Sequence, residues 1–227
     1  MGFDQEGFHV HGAESHLESV MRSGDTASFR AGDCLLGMIK QGFESGCAWS
    51  IEVEGSGVVH ADFKKGIYQA SVRSEANFFG VNPRYATVAP FRHGVERGGR
   101  PVEELLWKAA FYGSFGRLLE GCNLFDVVEL QRWPNFTRLP HSVCCLPLCS
   151  LLARRPSSIA FAHRMLRVPP GDAMRFYSAA RSAGYLRVIS AQPDASGPSA
   201  MLDTEEDPSG SSFSGFWTRL FGRVVGL

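Results

Sequence analysis

The sequence has no apolar run long enough to cross a bilayer, so no stretch of it reads as a transmembrane helix. Its first residues, MGFDQEGFHVHG, lack the basic start and apolar stretch of a secretory signal, and the expected location is cytoplasmic. None of its six cysteines (34, 47, 122, 144, 145 and 149) forms a CxxC pair, which leaves a zinc ribbon or thioredoxin-type site unsupported. In a cytoplasmic protein they are expected as reduced thiols. A Gly-x-Ser-x-Gly nucleophile elbow, a phosphate loop and a dinucleotide fingerprint are all missing. So are internal repeats. These absences favour binding over chemistry, with no cofactor and no metal.

What is present is an ordinary globular composition, 44% hydrophobic and 20% charged over 227 residues, enough for one large domain or two small ones. The formal net charge of zero conceals an uneven distribution. Residues 1–129 carry 12 basic and 17 acidic side chains. Residues 130–190 carry nine arginines, no lysine and a single acid, Asp172, while 191–227 carry two arginines and five acids. A basic segment between acidic ones implies an anionic partner, or an acidic tail lying on the basic segment of the same chain.

The first thirty residues are polar and weakly periodic, and are expected to be poorly ordered. A helix is expected from Asp33, as its N-cap, to Gly42, as its stop. The period then becomes two: Trp49, Ile51 and Val53 alternate with Ser50, Glu52 and Glu54, and turns at Gly55-Ser56-Gly57 and Lys64-Lys65-Gly66 complete a three-strand antiparallel meander. A further strand is expected near Tyr85 to Val88. Pro101 opens a helix expected to reach Gly121, with Glu103 and Glu104 at its positive end and Arg117 at the other. Its Gly113 and Gly116 weaken the last turns or admit another element. A strand is expected from Asp126 to Leu130. WPNFTRLP (133–140) reads as a rigid connector, with Trp133 buried as a staple between the two halves.

Residues 142–190 carry helix, turn, helix, turn, helix and strand in succession: Ser142 to Ala153, a second helix capped by Ser157 or Ser158 and ending at Leu166, a third from Gly171 to Ala183, and a strand from Tyr185 to Ile189. This segment resembles a winged-helix domain. In families of that type the third helix carries small or apolar core positions ending in a glycine, and Ala173, Tyr177, Ala180 and Gly184 match that pattern. The resemblance covers about a fifth of the chain and implies a fold more than a function, because such domains also serve as protein-binding platforms. More loosely, WPNFTRLP together with RRPSS and FYSAARSAG is similar to uncharacterised proteobacterial proteins, which implies a bacterial source.

The overall expectation is an α+β architecture. It has a poorly ordered N-terminus (1–30), an α+β domain with an antiparallel β-meander (31–130), a winged-helix-like module (131–190), a disordered acidic linker (191–212) and a C-terminal amphipathic helix (213–227). On a helical wheel Phe213, Phe216, Trp217, Leu220, Phe221 and Val224 share one half. A helix this short needs a surface to stabilise it. Its own domain and a protein partner's groove rank ahead of a membrane interface, which the neighbouring acidic linker opposes.

The function that follows is a non-catalytic bacterial signalling or regulatory interaction protein, binding a protein partner through the winged-helix-like module and the tethered helix. A rival reading is a DNA-binding transcriptional regulator. Its third helix would turn Met174, Arg175, Ser178 and Arg181 to the major groove, with Arg154, Arg155, Arg164 and Arg187 on phosphates. Asp172 at the start of that helix would repel the backbone. A thiol enzyme using Cys47 or Cys122 with His60 or His93 is the third reading. Cys145 and Cys149 with His141 could hold a soft metal, but among Leu146, Leu148, Leu151 and Leu152 they read more simply as core side chains. His9, His11 and His16 could likewise ligate a metal or simply be solvated.

Overall fold

The computed structural model describes residues 27–92, 94–95 and 98–191. Of the segment expected to be poorly ordered, residues 1–26 lie outside the described residues. Ser28–Phe29 form a short strand, β1, with Phe29 buried. A 3-10 turn at Ala31–Asp33 leads into α1, Leu35–Ser45. Asp33 does not cap α1. Its carboxylate accepts from the Arg30 N–H at 3.0 Å, and the cap position is Cys34. Gly42 does not end the helix either. It sits inside α1 against Phe63, where an added Cβ would come within 2.3 Å of the ring. The stop is Gly46, with φ of 64°, one turn later.

The meander forms as the two-residue period requires: β2 (Ala48–Val53), β3 (Gly57–Asp62) and β4 (Ile67–Val72) pair antiparallel, with Ile51 opposite Val59 and Ala61 opposite Tyr68 on the buried face. After the short helix α2 (Glu75–Phe79), β5 (Ala86–Pro90) pairs with β2 and the two-residue β6 (Arg100–Pro101) pairs with β4. The sheet order is β5-β2-β3-β4-β6.

Helix α3 (Val102–Ser114) starts as expected from Pro101 but ends seven residues short of Gly121. Phe115 takes the left-handed conformation, φ 48°, and Gly116 follows at φ 80°. Ser114 Oγ then accepts from the Gly116 N–H, and the chain turns into β7, Leu118–Leu119, which pairs parallel with β1. Gly113 admits a close neighbour: an added Cβ there would meet Cys34 Sγ at 2.7 Å.

A second, three-stranded sheet has the order β10-β8-β9, built from β8 (Val127–Leu130), β9 (Ser157–Ser158) and β10 (Leu186–Ser190). The helices between them are α4 (Cys145–Arg154), α5 (Ile159–Leu166) and α6 (Pro170–Ser182). Ser158 caps α5 by accepting from the Phe161 N–H, and Gly184 turns the chain after α6 at φ 71°. The partner of β10 is β8, upstream of all three helices, with Leu186 opposite Leu130.

One continuous core joins the two sheets, and α3 lies at its centre, packed on α1, α2, β4, β6 and α6. The buried tryptophan of the seam is Trp107 of α3, while Trp133 is 54% exposed. The connector still acts as a staple, through other residues. Trp107 Nε1 donates to the Pro140 carbonyl at 2.8 Å, and Phe136 meets the Trp107 ring edge-on at 6.0 Å. Trp107→Ala should lower the unfolding free energy by about 3–5 kcal/mol, whereas Trp133→Ala should move it by about 0.5 kcal/mol or less. Urea denaturation of both variants measures the contrast, and equal losses would overturn this placement.

Candidate interaction surface

The side chains expected to face a DNA groove are turned into the protein. Met174 is 5% exposed, and Ser178 is fully buried, where its Oγ accepts from the Leu119 N–H at 3.0 Å. The Arg175 guanidinium lies over the Phe111 ring at 5.3 Å, and Arg181 Nη1 donates to the Leu186 carbonyl at 3.3 Å. The physical reason is that α6 is buried on more than one face: Ala173, Tyr177 and Ala180 serve the core as expected, and the neighbouring face with Met174 and Ser178 is buried too, Ser178 against β7. Met174 and Ser178 therefore offer no base-reading atoms.

The nine arginines of residues 130–190 divide into three groups. Arg132, Arg138 and Arg187 pair with Glu103, Glu104 and Glu129 at 3.6, 3.5 and 3.0 Å, so acids of the preceding half neutralise them. Arg175 and Arg181 are half-buried against α3 and β10. Arg154, Arg155, Arg164 and Arg167 are exposed and make no ion pair among the described residues. All four lie at the end of α4 or along α5.

Two apolar side chains that sequence reasoning passed over sit among them. On α5, Ile159, Ala160, Ala162 and His163 turn inward, leaving Phe161 45% exposed and Met165 58% exposed. They are four residues apart, so they share a face, with Arg164 between them. Arg155 reaches from the end of α4 to lie over the Phe161 ring at 5.8 Å. The result is an arginine-rimmed apolar patch. Its signal in the sequence was Phe161 and Met165 falling outside the pattern that α5 buries.

Cys145 and Cys149 are fully buried in the core, and among the described residues no group of three or more His, Cys, Asp or Glu is placed to hold a metal ion. His141 Nδ1 instead lies 3.0 Å from the Leu139 carbonyl oxygen. Of the thiol-enzyme candidates, His93 lies outside the described residues. His60 stacks on Phe91 at 4.2 Å, and burial pushes the Cys122 thiol up to about 11, only partly offset by Arg181 and Lys40. That direction is opposite to the one a nucleophile needs. Burial also raises Cys34, Cys144, Cys145 and Cys149, the last to about 12.

The candidate partner-binding residues Phe213, Phe216, Trp217, Leu220, Phe221 and Val224 lie outside the described residues, as do His9, His11, His16 and the acidic linker from residue 192. No family model, curated protein or solved structure matches the chain.

The raised thiols give the protein an alkaline limit. Cys122 moves from an ordinary 9.0 to about 11 and Cys149 to about 12, so above pH 9 the folded state holds protons that the unfolded chain releases. These thiols should therefore leave stability level below pH 9 and lower it from pH 9 to about 12. Urea midpoints across that range test this. In parallel, iodoacetamide labelling of Cys122 should keep accelerating up to about pH 11. A plateau below pH 9 would instead mark a reactive thiolate.

Proposed function

We propose that this chain is a non-catalytic bacterial interaction protein of signalling or regulatory type, acting in the cytoplasm, whose 131–190 segment is a winged-helix-like module with its third helix given over to the core. The observation that carries the reading is the surface of α4 and α5: Phe161 and Met165 exposed, Arg155 over the Phe161 ring, and Arg154, Arg164 and Arg167 exposed on the same two helices or at their ends, with no ion pair among the described residues. Interface energy concentrates in arginines and aromatic side chains that become desolvated together, and guanidinium groups grip carboxylates bidentately. The partner is therefore a protein presenting an acidic, partly apolar surface. The C-terminal helix, with Phe216, Trp217, Leu220 and Phe221 as anchors, would reach the same partner from its linker once the patch has docked, raising the effective concentration of the second contact.

The DNA-binding reading keeps one supporting observation, since Arg154, Arg155 and Arg164 are free to meet phosphates. With Met174 and Ser178 buried, it lacks a base-reading face on helix α6. On the partner reading, full-length protein should not bind random duplex DNA at about 150 mM salt. Phe161→Ala and Arg155→Glu should each weaken capture of its protein partner by about tenfold or more, with the thermal transition unchanged. Micromolar duplex binding that falls steeply with salt and is lost in Arg154→Glu/Arg155→Glu would replace the protein partner with nucleic acid.

A further inference from the structure

The five-stranded sheet is open along most of one edge. β6 pairs with β4 only at Ile67 and Tyr68, and 69–72 has no outer neighbour among the described residues. Gly98, at φ 105°, lies two residues before the ladder's last pair at Arg100.

Hydrogen-bond alternation decides which groups this leaves over. The Arg73 N–H donates inward, to the Ser56 carbonyl beside β3, at 2.9 Å, and on the other side the Val102 N–H donates to the Gly66 carbonyl at 3.0 Å. Direction alternates along an antiparallel strand. Odd-numbered residues of β4 therefore bond toward β3 and even-numbered ones away from it. Tyr68 uses its outward groups on Arg100. Those of Ala70 and Val72 meet no backbone partner among the described residues.

A groove of ≈ 560 Å³ runs along the strand. Its walls include Gln69, Ser71, Arg73, Glu75 and Arg100, with Tyr68 at one end. Lys108, itself buried, neutralises Glu75, while Arg73 and Arg100 are exposed and make no ion pair among the described residues. Among the described residues the groove is therefore cationic. The Tyr68 hydroxyl is buried, with the Arg100 guanidinium beside it. None of 69–72 is charged or a proline, so the edge lacks the devices that protect exposed strands from pairing.

We propose that the β4 edge is a docking groove for an extended acidic peptide of a partner protein, which adds to the sheet as a further strand. Its main chain pairs with the free N–H and C=O groups of Ala70 and Val72, and its carboxylates meet Arg73 and Arg100. The free stretch is about 13 Å long, room for about four paired residues. A small anion would satisfy the arginines but leave the main-chain groups unused. A second copy of this chain would crowd two sets of Arg73 and Arg100 onto one ribbon. The groove shares no residue with the α4–α5 patch, so this inference stands apart from the function proposed above.

The test is amide hydrogen exchange at Ala70 and Val72, followed by NMR in the full chain. The probe is an acetylated, amidated octapeptide of alternating Thr and Glu. Its controls are the same peptide with Lys for Glu, and a version N-methylated at every residue, which has no N–H on either edge. At about 1 mM the Glu peptide should slow exchange of these two amides about tenfold, leaving Gln69 and Ser71, already bonded to β3, unchanged. Both controls should be inert, and Arg73→Glu/Arg100→Glu should remove the effect. Arg73→Gln, expected to weaken it, serves if the double variant lowers the thermal transition. Absence of slowing overturns the proposal. So does equal slowing by the N-methylated peptide or by citrate, which would make the groove a small-anion site. Slowing that depends on protein concentration without peptide would assign the edge to a second copy.

Discussion

Helix α3 has almost no face left for water, and the rest of the molecule is arranged to satisfy it. Leu105, Leu106, Trp107, Ala109 and Ala110 are fully buried, and the charges that fall on the same helix are buried with them. Lys108 is held by Glu75 from α2, and Glu104 by Arg138 from the connector at 3.5 Å. A buried charge stripped of its partner costs several kcal/mol, so α2 and the 133–140 connector are held in place by electrostatic need as well as by packing. The same demand draws α6 against α3. That contact takes away the helix face on which DNA reading would depend, and leaves the free surface of the module to α4 and α5.

Charge follows the same logic. A net excess of eight positive charges over 130–190 reads, in the sequence, as an invitation to an anionic partner or to the acidic tail. Much of it is answered locally: Glu103, Glu104 and Glu129 each take one arginine across the seam between the two halves. Of the other six, Arg175 and Arg181 are half-buried against α3 and β10, and four stay exposed on or at the ends of α4 and α5, a far more directed feature than the bulk charge.

How much of this was legible in the chain depended on whether one side of an element faces water. The meander was legible strand by strand, because Glu52 and Glu54 stay outside while Ile51 and Val53 go in, which leaves a strict period of two. The start of α3 was legible from Pro101 and the acids behind it. Its end was not, because the residue that takes the left-handed turn is Phe115, where a sequence argument looks for glycine. The outward face of α6 was misassigned for a related reason. Ala173, Tyr177 and Ala180 account for one buried face, and nothing local records that Met174 and Ser178 are buried by a second. Which of two tryptophans fills the seam is likewise a tertiary choice: Trp107 wins because its indole N–H finds the Pro140 carbonyl. The β4 groove left no local trace, since an edge exists only by virtue of what fails to pair beside it.

The order of strands in the second sheet carries a consequence for how the chain is made. β8 is the middle strand, yet both of its neighbours come later, and β10 closes the ladder only after three helices have intervened. A chain emerging from the ribosome exposes Val127–Leu130 with both edges bare until Ser157–Ser158 follows, and with one edge bare until Leu186–Ser190 does. Closing so long a loop is entropically slow. Helix α6 packs on α3, and α4 and α5 pack on each other and on α6, so this cluster has to gather first and hold the two ends within reach; completion of this sheet is then a late event in synthesis and its middle strand the segment most exposed to misassembly along the way.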